Sequence, residues 1–389
     1  MIGSTRAAIV GLGMSELGKV YGKSSAALAT SAVRAAVADA GLSPGDVDGL
    51  LVSSGMRQDL SPLLAGQLGL HNLDLLASVN TYGASAGVMV AESARAIADG
   101  SAHTIVCVFA DTPLQPDKSS GSSWNSSATT LSGYSGARTA SGSATPNIMY
   151  AMAARRHMET YGTTSEHLAE IAVAQREWAV MNPLAQMRDP ISVEDHQASP
   201  WIADPLRRLD CCLVSNGAVA VVVTSAERAR DLAHPAVHLW GAGQGHRPRD
   251  LRRGSTWGLE TPAVESGRRA FQQAGVTPDD IDVLELYDCY TYTVLVTLED
   301  YGFCDKGEGG KFVSDGLLRP GGTLPCNTGG GQLSSYYMWG FTPLSEAIIQ
   351  VRGEADERQT PRHDLALVSG NGGILEFHST LILGSEVKA

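Results

Sequence analysis

The sequence contains one internal repeat, and this repeat limits the folds that the chain can adopt. Residues 32–51 read AVRAAVADAGLSPGDVDGLL, and residues 267–285 read GRRAFQQAGVTPDDIDVLE. Each copy has a helical pattern that ends at a glycine, then a turn opened by proline and acidic residues, then a short apolar strand. When Gly41 is aligned with Gly275, the offset is 275 − 41 = 234 residues. The pattern predicts two α/β halves built on the same plan.

Further apolar segments follow the same order in both halves. In the first half, the strands and helices are expected at 7–11, 87–100, 104–110 and 218–223. The corresponding segments of the second half are expected at 236–241, 343–353, 365–369 and 379–383. Strands that are continuously apolar and alternate with helices favour mostly parallel sheets covered on both faces.

The chain has 389 residues, which is too long for one ordinary core. We predict an N-terminal half over residues 1–230 and a C-terminal half over residues 231–389. The first half contains an inserted region at about 111–205, whose first part, 111–147, is rich in serine, glycine and threonine. A connection of this length is typical of a lid, a binding loop or an assembly element, and a disordered surface loop is the alternative.

Charge and cysteine content exclude several classes of function. The net charge of −12 argues against nucleic acid as a main partner. No run of about 18 apolar residues is present, so no membrane-spanning helix is expected. The N-terminus leads directly into an apolar strand, which argues against a secretory signal. The six cysteines lack zinc-ligand spacing, so we expect buried thiols in a reducing cytoplasm and no metal.

Three segments resemble the active-site loops of thiolases. They are VNTYGASAG at 79–87, YDCY at 287–290 and GGGQLSSYYMWG at 329–340. Two others, LEDYGFC at 298–304 and GEGG at 307–310, resemble the second-half signature of the lipid-transfer-protein (sterol carrier protein X-type) branch. The resemblance covers nearly the whole chain. It implies the α/β thiolase fold, in which two duplicated halves are stacked as five layers (αβαβα).

The chain departs from the thiolase pattern at each catalytic position. Gly83 takes the place of the nucleophilic cysteine, Tyr287 that of a histidine, and Tyr337 that of the histidine after the glycine run. The C-terminal loop, GNGG at 370–373, has no cysteine. Because acyl transfer through an enzyme cysteine requires that sulfur, thiolase chemistry is not expected. The pattern instead resembles the steroid side-chain-cleaving aldolases of this family.

That resemblance implies retro-aldol cleavage of a β-hydroxyacyl-CoA by acid/base catalysis. Tyr287 and Tyr337 are the predicted acid/base pair, and the residues leave open which of them is the base. Backbone amides at Gly83, Gly372 and Gly373 are expected to hold the thioester oxygen. The missing side chain at Gly83 is also expected to make room for a bulky polycyclic ketone.

Other residues near these motifs are predicted to support the site without touching the reacting atoms. Asp288 is expected to anchor its turn by hydrogen bonds. The remaining predicted supports are Asn371, His378 and Tyr292. The residues that contact coenzyme A are not assigned.

The expected products are a short acyl-CoA (propionyl- or acetyl-CoA) and a ketone, with no cofactor beyond the coenzyme A of the substrate. By resemblance, we expect a homodimer formed through about 76–80 and 104–110, and a complex with an OB-fold, zinc-ribbon protein. Two alternatives stay open: a non-catalytic acyl-CoA-binding scaffold, and a residual thiolase or acyltransferase. The identity of the steroid and the length of its side chain are not predicted.

Overall fold

A computed structural model describes residues 7–120, 136–137, 140–142, 145–232, 234–248 and 256–388. Its strands are β1 (Ala7–Met14), β2 (Gly49–Ser54), β3 (Leu75–Ser78), β4 (Thr104–Asp111), β5 (Trp201–Ala203), β6 (Leu206–Arg207), β7 (Gly217–Ser225), β8 (Val237–His246), β9 (Val283–Glu285), β10 (Leu365–Gly372) and β11 (Phe377–Gly384). Its helices are α1 (Ser25–Asp39), α2 (Leu64–Leu68), α3 (Ser85–Asp99), α4 (Pro146–Tyr161), α5 (Ser165–Val180), α6 (Val193–Ala198), α7 (Ala226–Ala229), α8 (Ala263–Ala274), α9 (Thr291–Tyr301), α10 (Gly309–Ser314) and α11 (Phe341–Arg352). These elements follow the order predicted for both halves.

Nine strands form one mixed sheet in the order β3-β2-β4-β7-β1-β8-β11-β10-β9. The first five strands belong to the first half and the last four to the second. The halves meet where β1 pairs with β8 through Ala8–His238 and Ile9–Val237. The expectation of mostly parallel pairing is wrong: three neighbouring pairs are parallel and five are antiparallel. A strand buried on both faces is continuously apolar in either direction, so its sequence does not reveal the direction of pairing.

The contacts of the helices confirm the predicted five layers, in which the strands of each half count as one β layer although β1 and β8 join them. Helix α1 packs on β1, β7 and β4 of the first half, and α8 packs on β8 and β11 of the second. Helices α3 and α11 each contact strands of both halves. They therefore form the central layer, and α1 and α8 belong to the two outer layers.

The inserted region lies beside the second half. Helix α5 contacts α9, α10 and the turn at Gly331–Ser335 that follows the glycine run. A short hairpin of β5 and β6 packs against α4. The inserted region thus covers the part of the second half that carries the predicted tyrosine motifs.

The repeat is preserved in the packing of helix on strand. A Cβ atom added at Gly11 of β1 would lie 2.1 Å from the carbonyl oxygen of Ala36, and one added at Gly241 of β8 would lie 2.2 Å from that of Ala270. The two alanines are separated by the repeat offset, 270 − 36 = 234. In both halves, glycine lets the outer helix approach the strand more closely than any side chain would allow.

The fold excludes part of the predicted dimer contact. Strand β4 lies between β2 and β7 and is buried along its whole length, so 104–110 cannot form a subunit interface. Strand β3, in contrast, is at the edge of the sheet, and Leu76 on it is 48% exposed. No helix in the described part of the chain is long and apolar enough to cross a bilayer.

We predict that Gly243→Ala lowers the free energy of unfolding by about 3 kcal/mol, since overpacking a close contact typically costs about 1–3 kcal/mol or more. A Cβ at Gly243 would lie 1.9 Å from the carbonyl oxygen of Ser266 in α8. The control is Gly66→Ala in α2, where a Cβ meets no atom within 4 Å. Denaturant unfolding measures both variants. Equal stability of the two would contradict the close helix–strand packing.

Candidate active site

A cavity of about 240 Å³ lies where the three thiolase-like segments meet. The first segment supplies the short turn Tyr82–Ala84 before α3, and the second supplies the loop after β9. The third supplies the residues that follow the glycine run. The lining residues are Gly55, Met56, Gln58, Tyr82, Gly83, Pro146, Tyr150, Cys212, Tyr287, Cys289, Tyr290, Tyr337, Trp339, Asn371, Gly372, Gly373 and Ile374.

The two predicted catalytic phenols lie together in this cavity. The hydroxyl oxygens of Tyr287 and Tyr337 are 3.1 Å apart, which is hydrogen-bond distance. The backbone N–H of Tyr287 donates to Ser369 Oγ at 2.9 Å, and that of Tyr337 donates to Ser215 Oγ at 3.0 Å. Strand β10 and the segment before β7 therefore fix the backbone of both tyrosines.

Burial raises the pKa of both Tyr287 and Tyr337 well above 10, because a phenolate is poorly solvated in this cavity. The two hydroxyls share one hydrogen bond in which either can be the donor. Both phenols are protonated at neutral pH, and a phenolate on either one could accept a hydrogen bond from the other hydroxyl.

The Tyr287 ring occupies the space that a side chain at position 83 would need. A Cβ added at Gly83 would lie 2.3 Å from Cε2 and Cζ of Tyr287 and 2.2 Å from the carbonyl oxygen of Asn371. The expectation that Gly83 makes room for a polycyclic ketone is therefore wrong. The space released by the missing side chain is filled by an aromatic ring and by backbone of β10.

Asp288 connects the loop that carries Tyr287 to the loop that carries Tyr337. Its carboxylate accepts hydrogen bonds from the backbone N–H groups of Gln332, at 2.8 and 3.0 Å, and of Leu333, at 3.2 Å. Burial raises the pKa of Asp288 to about 7, although these hydrogen bonds oppose the change. Gly331 permits the contact, because a Cβ there would lie 2.2 Å from Asp288 Oδ2. The carboxylate thus holds the loop that leads to Tyr337.

The predicted glycines also lie at the cavity. A Cβ added at Gly372 would lie 2.2 Å from the carbonyl oxygen of Thr81 and 3.2 Å from the backbone nitrogen of Gly83. Gly373 has a φ of 63°, in the left-handed region that glycine adopts without strain. The backbone of all three predicted glycines therefore reaches the cavity at one place.

The other predicted supports are divided between the cavity and the packing outside it. Asn371 lines the cavity, and its Nδ2 donates to Tyr150 Oη at 3.1 Å. His378 is not among the lining residues; its Nε2 is 3.0 Å from Tyr301 Oη, and burial lowers its pKa to about 3. Tyr292 does not line the cavity either, and its hydroxyl donates to the carbonyl of Gly258.

Four further residues line the cavity although no role there was predicted for them: Tyr150, Tyr290, Cys212 and Cys289. Tyr150 comes from α4 of the inserted region, and its ring centroid is 4.5 Å from that of Tyr290. It lies in no recognisable motif, and a helical pattern shows only that it is buried. Burial raises the pKa of Cys289 to about 12 and that of Cys212 well above 9. Both are therefore neutral thiols, which are poor nucleophiles.

No group of three His, Cys, Asp or Glu side chains suited to a metal ion occurs among the residues that the structure describes. The polar groups identified at the cavity are phenols, thiols, amides and backbone N–H groups. Such groups can transfer protons and stabilise an oxyanion.

Family comparisons agree with this architecture. The family model of the thiolase N-terminal domain matches residues 7–227, and that of the thiolase C-terminal domain-like family matches residues 243–385. The chain belongs to the thiolase family. Human mitochondrial 3-ketoacyl-CoA thiolase has the same fold, with a TM-score of 0.71, 14% identity, and coverage of 98% of this chain and 100% of that one.

Proteins of higher sequence identity to this chain are named as aldolases or as a CoA lyase. The steroid side-chain-cleaving aldolase of Thermomonospora curvata is 39% identical over 395 residues, 98% of each chain. The 17-hydroxy-3-oxo-4-pregnene-20-carboxyl-CoA lyase of Mycobacterium tuberculosis is 38% identical over 381 residues, 95% of this chain and 97% of that one. The solved structure named Ltp2-ChsH2(DUF35) aldolase matches with a TM-score of 0.87 and 39% identity over 98% of each chain.

We predict that Gly83→Ala displaces the Tyr287 ring. It should lower the free energy of unfolding by about 2 kcal/mol, as overpacked cores do. Turnover should fall at least about 100-fold, since a catalytic group misplaced by about 1 Å has an effect of that size. Thermal unfolding and a steady-state assay measure the two effects, with Gly66→Ala as the control. Wild-type stability and turnover in Gly83→Ala would show that the ring does not fill this space.

Proposed function

We propose that this protein cleaves a β-hydroxyacyl-CoA, the coenzyme A thioester of a steroid side chain, by a retro-aldol reaction. The products are a short acyl-CoA, propionyl- or acetyl-CoA, and a ketone. The observation that carries this proposal is the pair of buried phenols 3.1 Å apart, one of which fills the place of a thiolase nucleophile. Its two relatives named aldolase and lyase, at 39% and 38% identity, support the same reaction.

We assign the base to Tyr287, since its ring fills the place of the thiolase nucleophile and its phenolate could accept a hydrogen bond from Tyr337, 3.1 Å away. In the proposed reaction, the Tyr287 phenolate removes the proton of the β-hydroxyl group. The Cα–Cβ bond then breaks, the hydroxyl oxygen becomes the ketone oxygen, and the electron pair of the broken bond forms the thioester enolate. Tyr337, as the acid, gives its proton to Cα. A proton transfer between the two adjacent hydroxyls restores the pair.

The enolate oxygen needs hydrogen-bond donors that are fixed before the reaction. We propose that backbone N–H groups at Gly83, Gly372 and Gly373 supply them, since these residues meet at the cavity. In acyl-transfer enzymes, one donor of this type contributes roughly 10²- to 10³-fold to kcat. No cofactor or metal is proposed beyond the coenzyme A of the substrate.

The proposed assembly has two kinds of contact. Strand β3 at the open edge of the sheet, with Leu76 half exposed, is proposed as the contact between two copies of this chain. The second proposed partner is the OB-fold, zinc-ribbon protein expected from the sequence, and the name of the Ltp2-ChsH2(DUF35) aldolase supports a complex with a DUF35 protein. We place the enzyme in the cytoplasm, where its six cysteines would stay reduced.

We predict that Tyr287→Phe and Tyr337→Phe each reduce turnover by about 10³-fold, as expected for loss of a general acid or base. The assay is mass spectrometry of the acyl-CoA and ketone released from a 17-hydroxy steroid side-chain CoA thioester. The full chain is tested alone and with a DUF35 partner. The matched control is Tyr336→Phe, because the Tyr336 hydroxyl is buried against Ser345 Oγ at 2.8 Å and does not line the cavity.

Two results would count against this proposal. A wild-type protein that binds the thioester and returns it uncleaved in both preparations would favour an acyl-CoA-binding scaffold. Equal turnover in all three tyrosine variants would show that neither cavity phenol transfers a proton in the rate-limiting step.

We also predict that kcat/KM of the wild type rises with pH by about tenfold per unit between pH 7 and 9. Burial raises the pKa of Tyr287 well above 10, so the fraction of its phenolate grows tenfold per unit throughout this range. A stopped assay across this range measures the slope. A kcat/KM that is independent of pH across this range would show that the base is not a phenol whose pKa lies above 10.

A further inference from the structure

The cavity is smaller than the substrate that the proposed function requires. Its volume is about 240 Å³, whereas drug-sized ligands occupy pockets of roughly 300–1,000 Å³. A coenzyme A thioester that carries four fused rings must therefore extend past the cavity mouth. Outside the cavity, the rings would meet lining residues that are apolar and partly exposed.

Strained backbone is concentrated at this cavity. The described part of the chain contains eight residues other than glycine with φ between 50° and 62°. Four of them line the cavity, and these are Gln58, Tyr82, Trp339 and Ile374. For residues with a side chain, and above all for a β-branched residue, this conformation is unfavourable. Such outliers persist where the surrounding structure enforces them, and they cluster at functional sites.

Three of these strained residues are large and apolar, and we call Tyr82, Trp339 and Ile374 the apolar rim. Tyr82 is 47% exposed, Ile374 is half-buried, and Trp339 is buried. The ring centroids of Tyr82 and Trp339 are 5.9 Å apart, and those of Tyr82 and Phe377 are 6.1 Å apart, so the exposed tyrosine is supported from two sides. Tyr82 and Ile374 are therefore the partly exposed apolar residues of the rim, and Trp339 packs against Tyr82 from the buried side; all three line the cavity that holds the phenols.

The turn that carries Ile374 is unusual in its own right. Gly373, Ile374 and Leu375 have consecutive φ values of 63°, 61° and 61°, which is a left-handed turn between β10 and β11. Leu375 is 1% exposed and fixes one side of the turn in the core. Gly372, the residue before this turn, lies against the backbone of Thr81. Because its neighbours are fixed on both sides, Ile374 stays in a conformation that places its side chain among the cavity-lining residues.

We propose that the apolar rim binds the fused rings of the steroid substrate and so determines the preference for ring-bearing over small β-hydroxyacyl-CoA thioesters. This inference rests on the proposed retro-aldol function and adds a subsite to it. The rim contributes no group to proton transfer. Its contribution is apolar contact with a rigid hydrocarbon, which removes the ring surface from water.

The test compares two substrates that share the reacting carbons. One is the 17-hydroxy steroid side-chain CoA thioester, and the other is 2-(1-hydroxycyclopentyl)propionyl-CoA, which retains only a single five-membered ring. The full chain with its DUF35 partner is assayed as wild type, Tyr82→Ala and Ile374→Gly. We expect each variant to raise KM for the steroid thioester about tenfold and to change kcat/KM for the cyclopentyl thioester less than threefold.

Ile374→Gly separates a binding role from a structural one. Glycine adopts a φ of 61° without strain, so this variant should have a higher Tm than the wild type while it binds the steroid thioester more weakly. A residue that serves only the fold would not combine these two changes.

Each of the other outcomes overturns a defined part of the account. If the wild type cleaves neither thioester, the proposed function and this inference are both wrong. If both thioesters are cleaved and the variants change them equally, only the apolar rim is wrong. If Tyr82→Ala weakens self-association in analytical ultracentrifugation and changes both thioesters equally, Tyr82 is a contact between two copies of the chain and not a ring subsite.

Discussion

The ring of Tyr287 lies against the backbone of Gly83, and the rest of the site is arranged around this contact. Any side chain at position 83 would overlap the ring and the carbonyl of Asn371. Glycine at this position and tyrosine at position 287 are therefore one structural unit. The unit puts a phenol in almost the place that a thiolase gives to its nucleophile. A cysteine introduced at position 83 alone would overlap the Tyr287 ring and the carbonyl oxygen of Asn371.

Burial controls how this unit behaves. The phenols are excluded from water, which raises the pKa of both and keeps them protonated at neutral pH. The shared hydrogen bond links the two groups, because a phenolate on either one could accept from the hydroxyl of the other. The thiols of Cys212 and Cys289 are also neutral, so neither cysteine provides an anionic nucleophile. These protonation states agree with the proposed proton-transfer mechanism and provide no thiolate to attack the thioester carbon.

The sequence predicts the fold and the members of the site better than it predicts their packing. The repeat around Gly41 and Gly275 identifies the two halves, because glycine C-caps and proline turns are local signals. The direction of strand pairing is not local, and that expectation was wrong. The motifs place Tyr287 and Tyr337 in one site, and the structure brings them together. Their catalytic roles stay predictions.

Two features could not be predicted for a physical reason. A missing side chain at Gly83 is visible in the sequence, but the group that fills the space comes from a residue 204 positions away (287 − 83 = 204). Tyr150 reaches the cavity from the inserted region, which has no counterpart in the repeat. Long-range packing decides both cases.

Turnover in D2O, followed by mass spectrometry of both the released acyl-CoA and the intact protein, distinguishes proton transfer by the two phenols from covalent catalysis. Proton transfer without a covalent intermediate predicts one deuterium on the α-carbon of the acyl-CoA and an unmodified protein mass at every time point. An acyl adduct on the protein, or an acyl-CoA released without deuterium, would contradict a mechanism in which two phenols move protons and no side chain of the enzyme is acylated.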